Sequence, residues 1–120
     1  MAHVMIVVSP YYEEISTHLL NGAKAALDEE RASYEIVEVP VALEIPLAIK
    51  LGHARGEGHS TKERKFDAYI ALGCVIRGET SHYDIVCEHS AQGLMDLALD
   101  YNMPIGNGIL TCDTKAQALV

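Results

Sequence analysis

Apolar and polar residues alternate along the chain in blocks of two kinds. Val4 to Val8 (VMIVV) is a near-continuous apolar run, the pattern of a strand whose sheet is covered on both faces. Ser9-Pro10 ends it. From Glu13 onward, apolar or small residues recur at Ile15, Leu19, Ala23, Ala26 and Leu27, the spacing of an amphipathic helix. Tyr34 to Val39 (YEIVEV) has a more alternating character and predicts a second strand nearer a sheet edge, stopped by Pro40. Pro46 suits the first turn of a short helix through Leu51. His53 to Lys65 (HARGEGHSTKERK), glycine-rich and charged, reads as a surface loop.

The second half repeats the scheme. Ala68 to Ile76 (AYIALGCVI) is the most hydrophobic strand. A helix follows from about Tyr83 to Tyr101, with its apolar stripe at Val86, Leu94, Leu97, Ala98 and Tyr101. Pro104 to Leu110 predicts a fourth strand interrupted by Gly106 and Gly108. A last helix begins near Asp113 or Thr114 and reaches Val120 after about two turns, short of the roughly 11 residues of an average helix. The expectation is one domain over 1–120, truncated within its C-terminal helix. Strands alternating with helices predict an α/β fold with a parallel sheet.

Composition narrows the function classes. The 120 residues carry a net charge of −8, which argues against general binding to nucleic acid or to anionic lipid. An anionic substrate would need its own pocket of donors. Apolar runs fall well short of the ~18 residues of a membrane span. The N-terminus lacks the basic flank and cleavage site of a signal peptide. Cys74, Cys87 and Cys112 form no C-x-x-C pair, so neither a zinc site nor a redox dithiol is expected. Free thiols in a reducing cytoplasm fit that pattern.

Ligands of open parallel sheets collect outside the carboxyl ends of the strands. Four segments lie at such ends: Ser9 to Tyr12, Pro40 to Glu44, Gly73 to His82, and Asn107 to Thr111. Gly78-Glu79-Thr80 stands between a strand and its helix, where backbone N–H groups either hold an oxyanion or simply make a capped turn. His82, at the helix start, carries a group suited to proton transfer near neutrality, or is a solvated histidine. Glu44 lies in an apolar stretch (PVALEIP), where a carboxylate wants a partner: a ligand's donors or the following helix. Tyr11 and Tyr12 offer rings that can stack on a heterocycle. Arg77 either binds an anion or pairs with Glu79 or Asp84. Cys74 reads as a packed thiol more readily than as a nucleophile. His53 and His59 share the loop and lack a third ligand for a metal. Neither G-x-G-x-x-G nor G-x-x-x-x-G-K-[ST] occurs.

Taken together, these segments resemble the lumazine synthase family. Pro40 to Pro46 is similar to its P-G-A-F-E-I-P segment, and GCVIRGETSHYD (Gly73–Asp84) matches its G-x-V-I-R-G-E-T-x-H-[FY]-[DE] signature almost position for position. IGNGILTCDT, Ile105 to Thr114, is similar to the strand and turn that follow. The likeness covers essentially the whole chain. It implies a flavodoxin-like three-layer α/β/α sandwich with a four-stranded parallel sheet in the order 2-1-3-4. It also implies condensation of 5-amino-6-(D-ribitylamino)uracil with 3,4-dihydroxy-2-butanone 4-phosphate to 6,7-dimethyl-8-ribityllumazine, in riboflavin biosynthesis. Small-molecule substrates, a pentamer or higher homo-oligomer and a cytoplasmic setting follow from the same likeness, with no cofactor and no metal.

By this match Tyr11 would stack on the pyrimidine, and Ala42, Leu43 and Glu44 would contact the ribityl chain. Cys74, Val75 and Ile76 would line the pyrimidine with backbone groups. Glu79 and Thr80 would hold the phosphate, and His82 would donate and accept protons. Asn107 takes the adjoining-subunit position where many members carry phenylalanine. Val41 replaces the family's usual glycine, and its phosphate-binding arginine would fall just past Val120. Two other function classes use related architecture: a non-catalytic flavin- or lumazine-binding assembly protein, and an archaeal-type riboflavin synthase.

Overall fold

A computed structural model describes residues 2–57, 66–77, 82–101 and 103–119, with the side chains at 54–57 and 82 outside the description. The strands are β1 (His3–Val8), β2 (Ser33–Glu38), β3 (Ala68–Ile76) and β4 (Ile105–Cys112). The helices are α1 (Glu13–Glu29), α2 (Ile45–Glu57), α3 (His82–Tyr101) and α4 (Lys115–Ala118), and a 3-10 turn at Ala42–Glu44 runs straight into α2. All strand pairs are parallel and the sheet order is β2-β1-β3-β4. This is the flavodoxin-like arrangement and strand order that the sequence implied.

Alternation along the strands sorts the core into two layers. Val4, Ile6 and Val8 with Leu72 face α1 through Leu19, Leu20, Ala23 and Leu27. Met5 and Val7, with Tyr69, Ala71 and Val75, face the opposite way and pack on Ile45 and Ile49 of α2 and Val86, Leu94 and Leu97 of α3. Both faces of β1 are therefore buried, which is why VMIVV shows no polar alternation. β2 lies at one edge with Glu35, Ile36 and Glu38 exposed.

Helix α1 ends in paired bonds from Ala32 N–H to the Leu27 carbonyl and from Arg31 N–H to that of Asp28, with Arg31 in the left-handed region at φ 57°. Helix α2 runs through Glu57, six residues further than its apolar spacing predicted, so the start of the expected surface loop is helical. The reason is packing by residues that read as loop formers. A Cβ on Gly52 would meet Met5 Sδ of β1 at 2.5 Å, so glycine permits a close approach of helix to sheet. His53 Nδ1 lies 3.1 Å from the hydroxyl of buried Tyr69. The rest of that expected loop, 58–65, is outside the described residues.

Candidate active site

The chain leaves β1 toward β2 on one side, while β3 lies on the other. The sheet's topological switch point is therefore between β1 and β3, where a crevice opens at the carboxyl ends. A solvent-open cavity of about 140 Å³ occupies that crevice. Ser9, Tyr11 and Tyr12 form one wall and Val41 and Ala42 a second; Cys74, Val75, Ile76 and Val86 complete it. Among the described residues this lining carries no charged side chain, so that part of it suits an uncharged planar group better than an anion.

Strand register shapes one side of the cavity. Pairing of β1 with β3 ends at Val8 opposite Leu72, where the Ser9 N–H also reaches the Leu72 carbonyl at 2.9 Å. Beyond that point β3 continues for Gly73, Cys74, Val75 and Ile76, paired with β4 alone among the described residues. Backbone N–H and C=O groups require partners, and on the β1 side of this overhang a bound heterocycle can supply them. Ser9 is itself buried and donates its hydroxyl to the Pro40 carbonyl at 3.2 Å, tying β1's end to the segment that carries Val41 and Ala42.

The site residues expected from the sequence distribute unevenly. Tyr11 is 69% exposed at the cavity's rim and packs edge-on against Tyr12, with ring centroids 5.0 Å apart. Ala42 is buried and lines the cavity, as do Cys74, Val75 and Ile76. Leu43 and Glu44 are exposed in the 3-10 turn and outside the cavity's lining. Glu44 thus bears no burial cost: the turn points it to water despite its apolar neighbours in sequence, and α2 starts at the next residue, Ile45. Asn107 is also exposed, in the middle of edge strand β4, where its Oδ1 accepts the Ile109 N–H at 2.9 Å. Within one chain it does not join the cavity. Glu79 and Thr80, with Gly78, lie outside the described residues, as does the side chain of His82; the backbone of His82 opens α3.

Arg77 is committed to carboxylates. Its Nε donates to Asp113 Oδ1 at 2.8 Å, and a terminal nitrogen lies 3.5 Å from Asp84. The sequence offered Asp84 as a partner; Asp113, 36 residues away, carries no spacing signal. Ser9 and Val86 line the cavity without having been singled out by the sequence, whereas Tyr12 was offered beside Tyr11 as a stacking ring and Val41 as the replacement of the family's usual glycine. Ser9 was recoverable from its place at a strand's carboxyl end, but Val86 looks like any other residue of the core stripe.

Burial raises the Tyr12 hydroxyl above its ordinary range, aided by Tyr11 and Cys74. Burial likewise pushes the Cys74 thiol up, and Cys112 adds to it. Cys74 is therefore a neutral, packed thiol at pH 7 and a poor nucleophile. Among the described residues, no group of three or more His, Cys, Asp or Glu side chains is placed to hold a metal ion. No helix among them is long and apolar enough to cross a membrane.

The family model described as 6,7-dimethyl-8-ribityllumazine synthase matches residues 1–120. A protein of Methylocella silvestris with that name is 52% identical over 117 residues, covering 98% of this chain and 70% of the relative. The protein of the same name from Azorhizobium caulinodans is 49% identical over 117 residues, with the same two coverages. One from Sphingopyxis alaskensis is 50% identical over 119 residues, covering 99% of this chain and 78% of its own. These names favour the synthase over both other function classes raised by the sequence.

Proposed function

The chain belongs to the 6,7-dimethyl-8-ribityllumazine synthase family, and on that premise we propose that the crevice between β1 and β3 is where it carries out the family's condensation. The protein is an enzyme, a transferase of riboflavin biosynthesis that joins 5-amino-6-(D-ribitylamino)uracil to 3,4-dihydroxy-2-butanone 4-phosphate. The observation that carries the placement is the overhang of β3. An uncharged slot beside Tyr11, floored by Cys74, Val75 and Ile76, offers an aromatic face and backbone hydrogen-bonding groups to a flat pyrimidine.

In this reading Tyr11 stacks on the ring, and Ala42 with the neighbouring Leu43 and Glu44 lies along the ribityl chain. Exposed Glu44 meets sugar hydroxyls without first losing a buried partner. Glu79 and Thr80 hold the phosphate by backbone N–H and hydroxyl groups ahead of α3. His82 moves the protons required by imine formation, phosphate elimination and ring closure. Alignment of two substrates supplies much of the acceleration. One histidine adds about 10²–10⁴-fold.

The 120 residues act as one lumazine-synthase-like domain within a homo-oligomer, a pentamer or larger, in the cytoplasm. Leu47 and Leu51 on α2 and Met95 and Leu99 on α3 are exposed apolar side chains repeating every fourth residue, which supports burial against a second copy. Asn107, exposed on β4, would then reach the cavity of an adjoining subunit. Three free cysteines fit a reducing compartment.

The test is an absorbance assay with both substrates, following lumazine formation by the wild type and His82→Ala. The wild type forms lumazine, and the variant is slower by about 10²–10⁴-fold without being silent. A wild type that forms no lumazine refutes the assignment. A variant as fast as the wild type removes His82 from the mechanism.

A further inference from the structure

Three segments of the fold meet on one guanidinium. Arg77 is the first residue after β3, and its own N–H continues the β3–β4 ladder by donating to the Cys112 carbonyl at 2.9 Å. Its side chain lies over the ring of Tyr83, 4.3 Å from the centroid, in the first turn of α3. The same group reaches Asp84 on that turn at 3.5 Å and Asp113, between β4 and α4, at 2.8 Å. Thr111 of β4 and Cys87, one turn along α3, lie close enough to act on the Tyr83 hydroxyl. The end of β3, the start of α3 and the end of β4 are thus joined through a stacked cation and two carboxylates.

This arrangement decides between the two roles open to Arg77. One positive charge faces two negative ones, so the cluster is net negative and a phosphate approaching it meets repulsion. Arginine's planar fork is suited to holding a carboxylate while stacking on an aromatic ring, a combination lysine reproduces poorly. We propose that Arg77 is a positioning residue for the condensation, holding the first turn of α3, which begins at His82, against β4, and that it is not a phosphate ligand. The inference rests on the crevice reading, because it assigns the clamp's importance to the group that opens α3.

Arg77, Asp84 and Asp113 all have largely exposed side chains. Exposed ion pairs add little to folding stability. Placement of a reacting group is far more sensitive, since an error of about 1 Å can cost about 10²-fold in rate. The clamp should therefore register in turnover more than in melting.

The experiment compares wild type, Arg77→Met, Arg77→Lys and Asp113→Asn in the full-length protein. It measures kcat, KM for the butanone phosphate, and hydrogen exchange of the α3 first-turn amides. Methionine keeps an unbranched stem beside Tyr83 and removes the charge. It should lower kcat about tenfold or more while KM stays within about twofold, the pattern of lost positioning rather than lost ground-state binding. Lysine should restore part of kcat, Asp113→Asn should reproduce the loss more weakly, and exchange should quicken at Tyr83 to Val86 in both charge-removing variants. A KM raised about tenfold at nearly unchanged kcat would identify Arg77 as a phosphate ligand and overturn the inference. So would wild-type exchange and turnover in Asp113→Asn, a surface change that answers the question even where Arg77→Met folds poorly. A wild type without lumazine activity would refute the crevice reading, and the exchange data would still decide whether the clamp holds α3.

Discussion

Gly93 of α3 lies against Pro46 at the start of α2, and replacing it by alanine sets two known effects against each other. A Cβ at this position would stand 2.9 Å from both Cβ and Cγ of Pro46. Ordinary carbon contacts are about 3.5–4.0 Å, so roughly 0.6–1.1 Å must be found. The proline ring is rigid and sits in a helix whose Ile45 and Ile49 are fully buried, so the neighbour cannot rotate away. Overpacking of this kind costs about 1–3 kcal/mol. Against it, alanine in a helix interior gains about 1 kcal/mol over glycine.

Gly22 in α1 provides the control, since a Cβ there meets nothing within 4 Å. Gly22→Ala should stabilise by the propensity gain alone, and Gly93→Ala should be neutral to destabilising by up to about 2 kcal/mol. Urea midpoints at one fixed protein concentration give the difference directly, provided the slopes agree. A Gly93→Ala midpoint raised as far as that of Gly22→Ala would show that α2 and α3 are not in the tight contact described. Because Ala42 precedes α2 and Val86 belongs to α3, the same substitution should also slow turnover by displacing two walls of the cavity.

Two further outcomes follow from local geometry. Arg31→Gly removes a side chain from the left-handed position after α1 and should raise the urea midpoint. The steric relief of about 1–2 kcal/mol is only partly offset by the added entropy of glycine in the unfolded chain, about 0.5–1 kcal/mol; a lowered midpoint would contradict the capping geometry. The Cys74 thiol, raised by burial and then by Cys112, stays protonated in the folded chain at pH values where the unfolded chain ionises. Stability from this difference is fully present below the ordinary thiol value of about 8.5 and is lost as pH rises through the folded value. Cys74→Ala should accordingly flatten the fall of the urea midpoint above that pH, and an unchanged slope would place the thiol in water.

The fold was legible where burial is one-sided or complete. VMIVV and AYIALGCVI are covered on both faces and read as apolar runs, and the stripes of α1 and α3 read as helices. The reach of α2 was not legible, because Gly52 and His53 look like loop residues until Met5 and Tyr69 are brought beneath them. Glu44 misled for a related reason: its neighbours in sequence are apolar, but a single 3-10 turn directs it to solvent. The cavity's strand-end residues were readable from topology alone. Asp113 as the partner of Arg77 was not, since an ion pair between segments 36 residues apart leaves no periodic trace.

The crevice claim is tested most directly by a crystal structure of the protein with 6,7-dimethyl-8-ribityllumazine bound. The lumazine ring should lie against Tyr11, with its polar edge on the backbone of Cys74, Val75 and Ile76 and its ribityl chain along Ala42. A lumazine ring bound elsewhere, with this cavity filled only by water, would contradict that claim.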